Sequence, residues 1–401
     1  MKIPLQKLIL VLGGIATPLM LFAAIDFIYT KTTKNYLKSL GVPFISDKGK
    51  YSEMLDFNPK TGWYRPKPNL SGKTFYGPIR HHVRTDQCGF RIPSVLNNGS
   101  LKDEDLPTAS NNPNKSPVIF IGDSFVWGSG AEYSESLVGH YSQISDRPTF
   151  NLGVGSYSPT SYIDRLYNFI NECPRKSIKG FDIVVLIDLG DVQDESINWF
   201  PTARGKQPIN RGRLIKYTKN RAYIQKLKKQ ILYFTAKNFS VTNNTIVQFS
   251  QILKLRKRKY YKGDNYQNPR LALTFSDWNK IDYAYRPLGV KDGLIKTKRQ
   301  MHNLSKYIQD NGGRFHLVSY PRSELIDYQS TIFNWEEFVD SICNTRACSS
   351  IVHSQGEYER LKSNQKDWRN EFYLQNDGHF NSKGYEILAS LIHKSIDQTT
   401  K

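Results

Sequence analysis

Short apolar runs recur along the chain, each bounded by turn residues and separated by segments of helical character. Val118-Ile119-Phe120-Ile121 stops at Gly122, and Phe150-Asn151-Leu152-Gly153-Val154 follows. Phe181 to Ile187 is the strongest run, Arg314 to Ser319 the fourth, and Ser350-Ile351-Val352 a candidate fifth. Residues 137–144, 162–170 and 298–311 between them read as helices. The chain ends in a helical segment, 384–396, with Ile387, Leu388, Leu391, Ile392 and Ile396 on one face. Runs without polar alternation belong to strands buried on both faces, and strands alternating with helices build a parallel sheet covered on both sides. The expected fold is therefore α/β: a three-layer α/β/α body with a parallel sheet of about five strands.

The 401 residues leave room beside such a body. Leu8 to Ile25 carry no charge, and the apolar character runs on to Tyr29 apart from Asp26. About 20 apolar residues span a bilayer as a helix, so residues 8–29 are expected to form one N-terminal transmembrane anchor behind a short tail, 1–7. Small residues do not sit at −3 and −1 of any cut near Ala23 or Ala24, which argues against a cleaved signal peptide. Residues 30–115 read as an irregular lead-in, 116–199 as the first part of the α/β domain and 301–401 as its second part.

Residues 200–300 interrupt the rhythm as an insertion. Positions 201–300 hold 24 Lys+Arg and 4 Asp+Glu, so the net charge of +20 for the whole chain belongs to this segment. Ile224, Leu227, Ile231 and Phe234 mark one face of a helix there, and the run Lys254 to Lys259 follows. The insertion is either a solvated basic surface or a contact for anionic lipid or an anionic glycan; no nucleic acid is expected as a partner. Four cysteines make no disulfide scaffold, and no Cys-x-x-Cys pair suggests zinc. Cys343 and Cys348 could form a small-loop disulfide or remain two buried thiols; Cys88 and Cys173 carry no pattern.

Two loops carry the chemistry. Gly122-Asp123-Ser124-Phe125 ends the first strand, where open parallel sheets place their sites, and a helix start there offers free backbone N–H groups. Asn376-Asp377-Gly378-His379, just before the last helix, sets an imidazole and a carboxylate on one loop. A nucleophilic serine needs a base and a group that orients the base. The bland alternative is a capping Asp or Ser at Gly122–Ser124 and a structural His379.

Together these blocks resemble the SGNH, or GDSL-type, hydrolase family over roughly residues 116–396, the insertion excepted. The resemblance implies a flavodoxin-like sheet, an acyl-enzyme mechanism and no cofactor or metal. It assigns Ser124 as nucleophile and oxyanion donor through its N–H, His379 as base in His379-Phe380-Asn381-Ser382-Lys383-Gly384-Tyr385, and Asp377 as orienter in an Asp-x-His variant of the last block. Asn151-Leu152-Gly153-Val154-Gly155-Ser156 resembles the family's second block, so Gly155 or Ser156 is the expected second oxyanion donor. The third block departs: Asp188-Leu189-Gly190-Asp191 puts a carboxylate at Asp191 where the family has an asparagine side chain. The expected function is a membrane-anchored serine esterase on the extracytoplasmic side, acting on acyl esters, with those of an envelope glycan as the expected substrate. Acyl transfer to a polysaccharide and a non-catalytic scaffold of envelope polysaccharide assembly are the alternatives.

Overall fold

The computed structural model describes residues 20–32, 54–76, 79–93, 115–173, 179–203, 206–213, 241, 282–327, 333–343, 347–363, 367–374 and 377–399. It divides into two units: Met1–Lys48 with Lys216–Tyr266, and Gly49–Ile215 with Gln267–Lys401. In the first unit residues 20–32 are helical, and the Asp26 carboxylate accepts hydrogen bonds from Thr30 Oγ1 at 3.2 Å and from the Val241 N–H at 2.9 Å. No helix among the described residues is long and apolar enough to cross a membrane. Most of the expected span, 8–29, lies outside the described residues, as do Ile224 to Phe234 and Lys254 to Lys259.

The second unit holds twelve strands among its described residues. Hairpins pair β1 (Leu55–Phe57) with β2 (Tyr64–Pro66) and β9 (Trp199–Phe200) with β10 (Ile209–Asn210). The main sheet joins β3 (Ser71–Tyr76), β4 (Ile79–Thr85), β5 (Arg91–Ile92), β6 (Val118–Ile121), β7 (Thr149–Asn151), β8 (Asp182–Ile187), β11 (Arg314–Ser319) and β12 (Ser350–His353). Their order is β12-β11-β8-β6-β7-β5-β4-β3. The five strands β12 to β7 run parallel; β5, β4 and β3 extend the sheet antiparallel. Besides the β1–β2 hairpin, the lead-in read as irregular thus supplies three strands to this sheet. Those strands are polar and lie toward the sheet edge, so they lack the unbroken apolar character that marks the central ones. The second run is a strand only at Thr149–Asn151, because the Asn151 side chain then leaves the ladder and holds the following turn.

Helices of the second unit are α1 (Ser124–Trp127), α2 (Leu137–Ser145), α3 (Pro159–Asn171), α4 (Leu189–Ile197), α5 (Gly289–Asp310), α6 (Ser323–Asp327), α7 (Trp335–Cys343), α8 (Gln355–Ser363), α9 (Trp368–Phe372) and α10 (Ser382–Thr399). Local chemistry fixes several starts. Pro159 opens α3 behind a Ser158–Ser161 capping box, and Asn381 Oδ1 accepts the Gly384 N–H at 3.0 Å in the first turn of α10.

The pleat divides the strand side chains between two cores. Ile119, Ile121, Ile183, Val185, Ile187 and Leu317 meet Leu166 and Phe169 of α3 and Met301, Leu304 and Ile308 of α5. Val118, Phe120, Val184, Leu186 and Val318 meet Leu137 and Tyr141 of α2 and Leu388, Ile392 and Ile396 of α10. This is the sandwich that uninterrupted apolar strands require. A buried ionic knot closes its lower end: Asp182 accepts from Arg147, from Arg314 Nε at 2.6 Å and from His316 Nε2 at 2.8 Å.

All four cysteines are paired, Cys88 with Cys173 and Cys343 with Cys348. The first bond ties the turn before β5 to the end of α3, a pairing that no spacing along the chain announced. The second realises the small-loop option. From β6 the chain goes to β7 on one side and returns to β8 on the other, so the carboxyl ends of β6 and β8 form the switch point where open α/β sheets bind ligands.

Candidate active site

Ser124 begins α1 directly after β6. Asp123 caps that short helix, its Oδ1 accepting the Phe125 N–H at 2.8 Å, so the capping role and the catalytic candidate fall on adjacent residues. The loop before α10 brings His379 to the same rim. Phe380 anchors that loop in the core, stacked on Tyr358 at 4.9 Å and edge-on to Phe125 at 5.3 Å. The His379 ring lies flat on Phe125, with centroids 4.6 Å apart.

Ser124 Oγ stands 2.7 Å from His379 Nε2 across 255 positions of sequence. His379 Nδ1 stands 2.5 Å from Asp377 Oδ1, which also accepts the His379 N–H at 2.9 Å. Burial alone would raise the Asp377 carboxyl, but its hydrogen bonds to His379, the charge of that ring and the Tyr76 hydroxyl outweigh burial and bring it down to about 2. An ionised carboxylate only accepts, so Nδ1 carries the ring proton and Nε2 is left to accept from the Ser124 hydroxyl. The structure therefore brings Ser124, His379 and Asp377 into one hydrogen-bonded line.

A second Ser–His–Asp line, Ser319–His353–Asp340, lies at the ends of β11 and β12. There Ser319 Oγ is 3.2 Å from Nδ1, and Nε2 is 2.8 Å from Asp340 Oδ1. Ser319 is 1 % exposed, so its hydroxyl cannot reach a substrate, and the line is structural.

The oxyanion candidates lie where the chain turns after β7. Asn151 Nδ2 donates to the Val126 carbonyl at 2.8 Å and its Oδ1 accepts the Gly153 N–H at 3.0 Å, stitching this turn to α1. An added Cβ at Gly153 would come within 2.3 Å of Trp127 N, so only glycine allows the approach. The Gly155 carbonyl accepts from the Tyr64 hydroxyl at 2.8 Å, and the Ser156 carbonyl from Trp199 Nε1 at 2.9 Å. Ser156 holds the left-handed conformation at φ +62°. A trans peptide opposes its C=O and N–H, so the Ser156 N–H is turned away from Tyr64.

Asp191 is buried and forms a reciprocal box with Asp188 at the start of α4, while its Oδ1 accepts from the Tyr162 hydroxyl at 2.6 Å. It therefore faces the protein interior as a cap. Burial, Asp188 and Asp123 hold its carboxyl well above the ordinary range. Arg322, after β11, lies among these acids: Nε donates to Asp188, and Nη2 is 3.6 Å from Asp123 Oδ2. Gly190 makes room for it, since a Cβ there would meet Arg322 Nη2 at 2.9 Å. Tyr320 donates to Asp123 Oδ1 at 3.0 Å. Arg322, Tyr320 and Tyr76 carried no signal in the sequence; each reaches the site from a strand end whose place in the sheet is known only from the fold.

No protein-family model and no curated protein matches the chain. Among solved structures it is similar to a lipolytic protein of the G-D-S-L family from Desulfitobacterium hafniense DCB-2, with a TM-score of 0.35 and 11 % identity over 70 % of this chain and 99 % of that one. It is also similar to the Bacillus subtilis protein YXIM, with a TM-score of 0.39 and 10 % identity over 86 % of this chain and 83 % of that one. At such values the chemistry has to be read from the site's own atoms. Among the described residues, no cluster of His, Cys, Asp and Glu is arranged to hold a metal.

Proposed function

We propose that this chain is a serine esterase working through an acyl-enzyme. The observation that carries the reading is the 2.7 Å approach of Ser124 Oγ to a ring nitrogen whose partner nitrogen is bound to Asp377. The Ser124 oxygen attacks the ester carbonyl and its proton passes to His379 Nε2. The tetrahedral intermediate collapses, the ester C–O bond breaks, and Nε2 returns the proton to the departing alcohol. Water then repeats the sequence on the acyl-Ser124 ester and releases the acid. The N–H of Ser124, at the open start of α1, and that of Gly155 or Ser156 are the donors for the oxyanion. Asp191, engaged as a cap, supplies none, so a donor usual at this position is replaced or lost.

Two disulfides using every cysteine support an oxidising compartment, and hence an extracytoplasmic site of action. An anchor at residues 8–29 and an acylated glycan as substrate extend the same reading. A fluorophosphonate reacts only with an activated serine, so the full chain should take up one equivalent, located at Ser124 by peptide mass, and Ser124→Ala none. A folded wild-type protein that stays unlabelled would end the esterase reading in favour of a scaffold. A labelled protein that acylates an added glycan faster than it hydrolyses aryl acetate would make it a transferase.

A further inference from the structure

The edge of the sheet contributes a group to the reacting line. Tyr76, the last residue of β3, places its hydroxyl 2.8 Å from His379 Nδ1 and 3.3–3.4 Å from the two Asp377 oxygens. Its ring meets the His379 ring edge-on, with centroids 5.0 Å apart. We propose that Tyr76 is a positioning residue that shares the Nδ1 proton with Asp377 and holds the imidazole toward Ser124. This rests on the esterase reading above and adds to it a residue contributed by residues 54–93, outside the two loops that carry the nucleophile and base.

The direction of each bond follows from the groups present. Nδ1 carries a proton, so toward the ring the Tyr76 oxygen only accepts; its own proton goes to the Asp377 carboxylate. Burial first, then Asp377, push the Tyr76 phenol well above its ordinary value, so the hydroxyl stays neutral and acts as a dipole. When Ser124 transfers its proton to Nε2, the ring becomes cationic and its Nδ1–H faces two acceptors instead of one. The contact to the ring is shorter than those to the carboxylate, so stabilisation of the cation is the larger effect. The other charged or titratable groups felt here are Asp123 and Arg322 beneath the site and Tyr385 of α10.

Tyr76→Phe keeps the ring and removes only the hydroxyl. In the full chain, kcat for an activated aryl ester should fall about ten- to hundredfold, the range for one hydrogen bond to a charged group, with KM little changed. Because the cation is less stabilised, the acid limb of the kcat/KM profile should move to lower pH. The downfield proton resonance of the His379 Nδ1–H should shift as well, and this readout needs no turnover. Unchanged kcat, pH limb and resonance would overturn the proposal. A wild-type protein that neither turns over nor takes up fluorophosphonate would end the esterase reading, while the resonance would still decide whether Tyr76 holds the ring.

Discussion

Ser124→Ala is expected to lower kcat for an activated ester by about 10⁴- to 10⁶-fold with the fold intact, since loss of the nucleophile in a working triad removes nearly all covalent catalysis. Ser124 is the first residue of α1, and the cap that holds the helix start is Asp123, so alanine removes the hydroxyl's bonds to His379 and Asp123 but leaves the cap in place. Circular dichroism and the urea midpoint should be close to wild type, which separates lost chemistry from lost structure. Asp377→Asn should cost about 10⁴-fold by a different route: an amide can present its N–H₂ to Nδ1, which favours the tautomer with the proton on Nε2, unable to accept from Ser124. The pH dependence carries a sign. The folded Asp377 carboxyl sits near 2 and therefore below its unfolded value, so its contribution to stability is present above about pH 4 and is lost as pH falls through 2. Loss of activity between pH 4 and 6 thus has to be ascribed to a group other than Asp377. Stopped-assay rates across pH 4–9 for wild type and both variants test this. An Asp377→Asn protein within tenfold of wild type would remove the orienting role.

How much of this was legible follows from where the information sits. Val118–Ile121 and Asp182–Ile187 declare themselves because a strand buried on both faces has no polar alternation to confuse it. Helix ends were harder: α5 begins at Gly289, nine residues before the expected start at 298, because Asp282 Oδ1 accepts the Val290 N–H at 2.9 Å and lets the helix open early. The strands β3 to β5 escaped because runs such as Ile79-Arg80-His81-His82-Val83-Arg84-Thr85 are mostly polar, and the burial of Val83 against Met54 and Trp127 is a contact that only the fold supplies. Ser124, Asp377 and His379 were legible because each lies in a short motif. Tyr76 and Arg322 were not, because their roles depend on partners 303 and 134 positions away and on no local pattern.

Arg322→Met is expected to destabilise the protein by about 3–5 kcal/mol, the cost of removing one partner from a buried ionic cluster. Asp123, Asp188 and Asp191 are each at most 6 % exposed, and Arg322 is the cation that contacts the first two. Burial would lower its guanidinium, but Asp188, Tyr320 and Asp123 outweigh burial and raise it, so the charge persists. Burial and Asp188 raise the Asp123 carboxyl, so acid relieves the variant: protonation removes the repulsion that Arg322 had balanced, and the deficit in urea unfolding should shrink as pH falls from 7 toward 4. The double variant Arg322→Met with Asp188→Asn should lose less than the sum of the two single changes, because it removes a charge together with its partner. A full additive loss would mean that Arg322 supports the fold by packing against Phe125, 5.1 Å from its guanidinium carbon, and not by charge. The cluster lies under Ser124, whose Oγ is 3.3 Å from Asp123 Oδ2, so any drift of Asp123 also moves the nucleophile. Arg322→Met should therefore slow fluorophosphonate uptake even below its unfolding transition, and retained labelling at the wild-type rate would confine the residue to a structural part.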